Sequence, residues 1–344
     1  MTNFSPDPHT PSPLDQRQQL QELARGYRKA QILFTCVELG VFAALAKGGA
    51  DAQSVAAETG TSLRGMDLLL NAAAALGLLE KHGGVFTNTA AADAWLIEER
   101  EGSLAQTLRL EKAFYTRWGH LAEAVRSGRR PEENRQDERG KDWVKNFIHG
   151  LYQGALPFAP LVAEALGLPE DAPLKVIDVG GGHGAYSLAL AERHPLLTAT
   201  IFELPQVVPV AREIVAMRGL QERVSVQEGD FQTDPLGSGY DLALVFGVLN
   251  GEAPDGRLAL FHKVHAALKP GGRIVIRDAV LQPDRAGPPD AALFALQMLL
   301  ATDSGGLDTQ DDWEGWLHQA GFSVPVVIPV PGMPGTFLTV AGRD

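Results

Sequence analysis

From Gln16 to about Leu96 the apolar residues recur at helical spacing. Ile32, Leu33, Val37, Leu39, Val41, Phe42 and Leu45 mark one strongly apolar helical region, ended by Gly48-Gly49. A short helix is expected after Ser54. A third, capped by Thr61 or Ser62, should bury Met66, Leu69, Leu70, Ala73 and Leu76. After Gly77 the pattern changes to two short strands around His82-Gly83-Gly84, which predicts a hairpin. From Glu101 to about Leu168 the spacing is helical again. It carries the aromatics Phe114, Tyr115, Trp118, Phe147 and Tyr152 and is interrupted by a charged loop, Ser127 to Lys141. From Pro173 onward short β-branched runs alternate with helices. The expected strands are Val176–Val179, Thr198–Phe202, Val224–Glu228, Asp241–Phe246 and Lys269–Arg277, with helices over 207–218 and 256–268. Two last strands, Val324–Pro329 and Thr336–Ala341, should pair across Pro331-Gly-Met-Pro-Gly335.

This alternation predicts an α/β domain with a largely parallel sheet at the C-terminal end. Its opening is the most informative stretch. The strand ending at Val179 runs into Gly180, Gly181, Gly182 and Gly184, and a helix follows with Leu188, Leu190 and Ala191 on its apolar face. Strand, glycine turn and helix begin a nucleotide-binding βαβ unit, where the backbone must turn sharply and let a ligand lie against it. The next strand ends in Glu203, an acid placed to accept from ribose hydroxyls. Gly229-Asp230-Phe231 follows the third strand. An acid and an aromatic at a strand tip can hold adenine, the acid taking its exocyclic amine and the ring packing beside it. The loop from Gly247 to Asp255 faces the same crevice, because such sheets bind ligands at the carboxyl ends of their strands. Gly180-x-Gly182-x-x-Ala185 also fits the dinucleotide fingerprint, so a nicotinamide-dependent dehydrogenase is one competing reading.

The N-terminal helices and hairpin have the shape of a winged helix. Such a module binds DNA or packs against a second copy. Its third helix offers only Arg64 as a base, with Asp67 beside it, and a groove-reading helix needs several phosphate and base contacts. Dimerisation is therefore the expected role. The net charge of −12 points the same way: nucleic acid and anionic membrane surfaces both require a positive footprint. No apolar stretch approaches the ~20 residues of a membrane helix. Cys36 is the one cysteine, so no intrachain disulfide and no cysteine-based zinc site is expected, which suits a cytoplasmic protein. Met1 to Pro13 is polar and proline-rich and reads as a disordered tail, not a signal peptide. The expected organisation is a tail over 1–15, a dimerisation domain over 16–100, a helical linker or lid over 101–168 and a Rossmann-like domain over 169–344.

Asp178-Val-Gly-Gly-Gly-His-Gly184, Glu203-Leu-Pro205, Gly229-Asp-Phe231, Leu268-Lys-Pro-Gly-Gly272 and Ala320-Gly-Phe322 occur in one order and spacing. In this the chain resembles the class I S-adenosylmethionine-dependent O-methyltransferases. It is most similar to the small-molecule type of plant phenol, acetylserotonin and bacterial polyketide methyltransferases, over about residues 20 to 342. The resemblance implies a Rossmann-like, seven-stranded methyltransferase domain preceded by a mostly helical winged-helix dimerisation domain. It implies bound S-adenosylmethionine, an intertwined homodimer, an aromatic or polycyclic small-molecule acceptor and no metal. Gly180 and Gly182 would then lie against the methionine part, Glu203 would hold the ribose, and Asp230 and Phe231 the adenine. Asp178, Leu204 and Phe246 complete the expected cofactor set. Trp118, Phe147, Tyr152, Asn250, Phe294 and Met298 form the expected acceptor set.

The chain departs from that family where chemistry is expected. Many relatives carry a His-Asp-Trp run whose histidine deprotonates the acceptor. Here the aligned residues are Asn250-Gly251-Glu252. A neutral amide cannot act as a general base near pH 7. Asn250 would instead orient the acceptor, and in-line placement of an acidic hydroxyl against a sulfonium can supply much of the acceleration. If a base exists, the candidates are Asp303, Asp312 and Tyr152. An altered chemistry on the same scaffold, such as hydroxylation or decarboxylation, is the alternative within enzymes. A ligand-sensing winged-helix regulator is the alternative outside them.

Overall fold

Residues 12–100, 102–136 and 141–344 are described in this computed structural model. Most of the expected tail lies outside the described residues. Its end does not: Ser12 caps helix α1 (Pro13–Arg25), its hydroxyl accepting from the Asp15 amide while the Asp15 carboxylate accepts from the Ser12 amide. This reciprocal box, with proline at the first helical position, starts a helix inside the stretch read as tail.

The first compact unit ends at Lys112. After α1 it holds α2 (Tyr27–Glu38), α3 (Val41–Leu45), α4 (Ala52–Thr59) and α5 (Leu63–Ala75). Then come β1 (Leu79–His82), β2 (Val85–Asn88), α6 (Ala90–Trp95) and the start of α7 (Ala105–Trp118). The apolar run from Ile32 is two helices, because Gly40 takes a left-handed φ of 70° between them. Ser62 is the cap of α5. Of the expected buried face, Met66, Leu70 and Ala73 are buried, Leu69 is partly so, and Leu76 is 38% exposed at the helix end, past the last turn of the stripe. The hairpin is as expected, with His82 opposite Val85 across two glycines of positive φ. Phe42, Met66, Leu70 and Phe86 form the middle of this unit's core.

The second unit, Ala113–Asp344, contains the rest. Helices α8 (Leu121–Ser127), α9 (Glu132–Gln136), α10 (Lys141–Ala155) and α11 (Ala159–Ala165) come first; α9 is a turn of helix inside the segment expected as a charged loop. Then follow β3 (Lys175–Val179), α12 (Ala185–Arg193), β4 (Thr198–Glu203), α13 (Val208–Met217), β5 (Val224–Glu228) and β6 (Tyr240–Phe246). Next are α14 (Pro254–Ala267), β7 (Leu268–Arg277), β8 (Val280–Leu281), α15 (Pro289–Ala301), β9 (Asp308–Thr309), α16 (Gln310–Gln319), β10 (Val326–Pro329) and β11 (Phe337–Gly342).

Seven strands form one sheet in the order β10-β11-β7-β6-β3-β4-β5, with β10 and β11 antiparallel at one edge. Strands β3 to β7 are parallel, and their faces alternate. Val176, Leu242, Leu244 and Val275 pack with α10 to α13, while Ile177, Val179, Ala243, Val245, Ile274 and Ile276 pack with α14 and α16. Burial on both faces is why these strands read as nearly continuous apolar runs. Chain order reverses between β3 and β6, so the crevice lies at their carboxyl ends. The sequence reading lacked the small parallel β8–β9 pair and α16.

Candidate active site

The turn after β3 is packed too tightly for side chains. Gly180 donates to the Phe202 carbonyl at 2.9 Å and has a φ of 62°. A Cβ there would lie 2.8 Å from Val248 and 3.7 Å from Phe231. At Gly181 it would meet the Asp178 carboxyl at 2.5 Å. Asp178 was expected to touch the ligand. It lies one layer below, only 1% exposed, where its Oδ2 accepts from the Ser187 hydroxyl at 2.7 Å. Burial pushes its pKa up to about 7 against the lowering effect of Ser187, and the Glu203 charge adds to the rise. Asp178 therefore props the turn from beneath.

Glu203, at the tip of β4, is partly buried and faces the turn. Its Oε1 accepts from the Gly182 amide at 3.2 Å, and Oε2 from the amide of Leu204. Burial raises its pKa, and those two bonds oppose the rise. Asp230 uses its own Oδ1 to fix the loop, accepting from Gln232 N at 2.8 Å. Phe231 approaches Gly180, as its 3.7 Å clearance shows. Lys263 of α14 holds this loop by donating to the carbonyls of Phe231 and Gln232, each at 2.7 Å. No sequence signal pointed to Lys263. A cavity of about 280 Å³ lies beside Phe231, bordered by Gln232, Glu252 and Lys263.

On the other side of the turn is an aromatic cluster. His183 accepts from the Ala185 amide through Nδ1 at 3.0 Å, so its proton is on Nε2. Burial, reinforced by the charge of Arg277, pushes its pKa down to about 4. Its ring is 6.0 Å from both Tyr152 and Tyr186, and Phe246 meets Tyr186 edge-on at 5.0 Å.

The loop after β6 forms a single turn, Leu249–Gly251, that presents Asn250. Asn250 Nδ2 donates to Asp278 Oδ1 at 2.9 Å, and its backbone amide approaches Oδ2 at 3.3 Å. Asp278, just past β7, was not singled out in the sequence. Burial raises its pKa; the bonds from Asn250 and Ala279 and the charge of Arg277 oppose that. The loop is clamped by the buried Arg257, which donates to the Leu249 carbonyl at 2.8 Å and the Gly306 carbonyl at 3.0 Å and pairs with Asp308.

The candidate bases are otherwise engaged. Asp312 closes a capping box with Thr309 at the start of α16 and pairs with Arg285 at 2.7 Å. Burial would raise its pKa, but the Thr309 bonds and the Arg285 charge outweigh it and the pKa is lowered. Asp303 is an exposed partner of Arg135. The Tyr152 hydroxyl accepts from Arg218 at 3.4 Å. Each was expected as a possible base, and each makes one of these contacts within the fold. In the acceptor set, Trp118 donates through Nε1 to Gln297 of α15, next to the buried Met298. Phe294 packs with Leu281, Ala291 and Leu307, and Phe147 stacks on Trp143 at 5.9 Å. Gln297, whose buried Nε2 has no acceptor among the described residues, was missed because polar residues on an apolar helix give no periodic signal.

Sheet order, glycine turn and acidic strand tip define an α/β enzyme domain built to hold an adenosine-containing ligand. Residues 170–323 match the O-methyltransferase domain and residues 21–98 the O-methyltransferase dimerisation domain. The chain is 33% identical over 308 residues to 3-hydroxy-5-methyl-1-naphthoate 3-O-methyltransferase of Streptomyces sahachiroi, covering 88% of this chain and 89% of that one. It is 34% identical to acetylserotonin O-methyltransferase of Mus musculus, covering 88% of this chain and 83% of that one. The crystal structure of human N-acetylserotonin methyltransferase in complex with SAM superposes with a TM-score of 0.86 at 28% identity, covering all of both chains. The protein belongs to the O-methyltransferase family and is a methyltransferase. The dehydrogenase and regulator readings fall with that membership.

Proposed function

We propose that this enzyme transfers the methyl group of S-adenosylmethionine to a hydroxyl of an aromatic or polycyclic small molecule, and does so mainly by placement. The residues fit the cofactor: a turn where a Cβ would collide, an acid at Glu203, and an aromatic edge at Phe231. When bound, S-adenosylmethionine supplies a methyl group already activated by a positive sulfur. Gly180 and Gly182 would back its methionine part, Glu203 would accept from the ribose, and Asp230 and Phe231 would border the adenine. The acceptor oxygen would form its bond to the methyl carbon as the carbon–sulfur bond breaks, leaving S-adenosylhomocysteine, with the hydroxyl proton lost to solvent.

The observation that carries this reading is the Asn250–Asp278 pair. With Nδ2 committed to Asp278, the amide oxygen is left to accept from the acceptor hydroxyl and fix its direction. The carboxylate holds the amide in that orientation. Trp118, Phe147, Tyr152, Phe294 and Met298 complete the acceptor surroundings. The relatives named above act on aromatic hydroxyl compounds, which supports the substrate class. Incubation with methyl-labelled cofactor and a panel of naphthols, hydroxynaphthoates and hydroxyindoles tests it. Transfer to oxygen is expected; cofactor binding without transfer to any acceptor would favour altered chemistry.

The active form is proposed as a homodimer built by the N-terminal unit, in the cytoplasm. The dimerisation-domain match and a set of exposed leucines support the dimer. Leu20 and Leu23 of α1 are 69% and 80% exposed, and Leu68 of α5 is 62% exposed.

A further inference from the structure

Arg277 ends β7 at the carboxyl edge of the sheet, its carbonyl accepting from Gly247 N at 2.9 Å. It sits in register with Phe246, and its guanidinium lies 5.3 Å from the ring of Tyr186 in the first turn of α12. Phe246 packs on the same ring. The cation is thus half-buried against aromatic side chains. Its Nε is buried and has no acceptor among the described residues. The nearest acid in sequence, Asp278, already accepts from Asn250 and Ala279. His183, whose ring lies 6.0 Å from that of Tyr186, is held neutral and adds no counter-charge. A partly desolvated guanidinium without a bonded counter-charge is unfavourable by itself. The Asp278 carboxylate offsets its charge through space and not through a hydrogen bond, and an anion entering the crevice would supply direct hydrogen bonds.

We propose that Arg277 binds a carboxylate presented in the crevice beside the glycine turn. A planar guanidinium meets a carboxylate through two parallel hydrogen bonds, and the aromatic walls strengthen them by excluding water. Two molecules offer that group: the amino-acid end of S-adenosylmethionine and an aromatic acceptor bearing a carboxylate. The position favours the first, since Arg277 clusters with His183 and Tyr186, which lie in and just after the turn. This inference rests on the proposed cofactor.

Calorimetry on the full chain tests it without turnover. Wild type, Arg277→Gln and Arg277→Lys are titrated with S-adenosylmethionine and with its decarboxylated analogue. With S-adenosylhomocysteine present, they are also titrated with 3-hydroxy-1-naphthoate and 2-naphthol. Wild type should bind S-adenosylmethionine about tenfold to a hundredfold more tightly than the decarboxylated form. Arg277→Gln should bind the two alike, with Arg277→Lys between. If the glutamine variant keeps that preference but loses one for the naphthoate, the carboxylate is the acceptor's and the proposal stands. A folded glutamine variant, checked by circular dichroism, that keeps every wild-type preference overturns it. Wild type that binds no S-adenosylmethionine overturns the proposed function first, and this inference with it.

Discussion

The side-chain amide of Asn250 donates to the Asp278 carboxylate at 2.9 Å, joining the ends of two neighbouring parallel strands, β6 and β7. A neutral group occupies the place where the family resemblance led to the expectation of a base, and a part-buried carboxylate fixes its direction. Catalysis by placement makes a quantitative statement at this pair. Asn250→Ala should lower the methylation rate about tenfold, the worth of one hydrogen bond, whereas loss of a general base typically costs 10²–10⁴-fold. Rates across pH 6–9 should rise with ionisation of the acceptor and show no histidine limb near 6.5. A loss beyond about a thousandfold would identify an unrecognised base.

Asp278→Ala should be as damaging as Asn250→Ala, since it frees the amide that the carboxylate orients. The double variant should be little worse than either single one, because both act through one bond. Steady-state kcat on the best acceptor checks this; additive losses would show that the two residues act separately.

Glu203→Ala should weaken S-adenosylmethionine binding by tenfold or more, because a charged acceptor contributes roughly 1.5–3 kcal/mol per hydrogen bond. The structure adds a second consequence: the Gly182 and Leu204 amides lose their acceptor, so the turn loosens. Glu203→Gln keeps one oxygen and should fall between. Calorimetry on all three chains reads the order.

Asp178 ties stability to pH. Its folded pKa, raised to about 7, means that the folded state binds more protons than the unfolded one from about pH 4 to 7. Its contribution therefore falls as pH rises through that window. His183 has the opposite sign between its folded pKa of about 4 and the ordinary histidine value, so the two partly cancel in wild type. Asp178→Asn keeps an oxygen for the Ser187 hydroxyl and removes only the titration. Its melting temperature relative to wild type should climb from pH 5 to pH 8; a flat difference would show that Asp178 does not titrate there.

Leu20→Glu with Leu23→Glu should convert the proposed dimer to monomer, since two charges on one exposed helical stripe cannot be buried unpaired. Light scattering after size exclusion measures the mass, and an unchanged dimer would place the interface elsewhere.

The sequence by itself determined the strands and the turn. Val176, Ile177 and Val179, with Leu242 to Phe246, are apolar on both faces, and Gly180, Gly181 and Gly184 cannot accept side chains where Val248, Asp178 and Ile201 approach. Glu203 and Phe231 were legible because they occupy strand tips, and a tip in a parallel sheet faces the ligand. What only the tertiary structure decided is which residues meet across distance. Asp278 lies 28 positions from Asn250, and Arg257 is 51 from Asp308; nothing in local periodicity pairs them. Asp312 and Asp303 read as candidate bases in the sequence, and only the fold shows that one closes a helix cap and the other pairs with an arginine. Arg277 was only the last residue of an expected strand, and became a half-buried cation when folding set it against Tyr186. Local spacing encodes which face of an element is buried. Charge pairing, proton affinity and access depend on neighbours that the chain brings together only by folding.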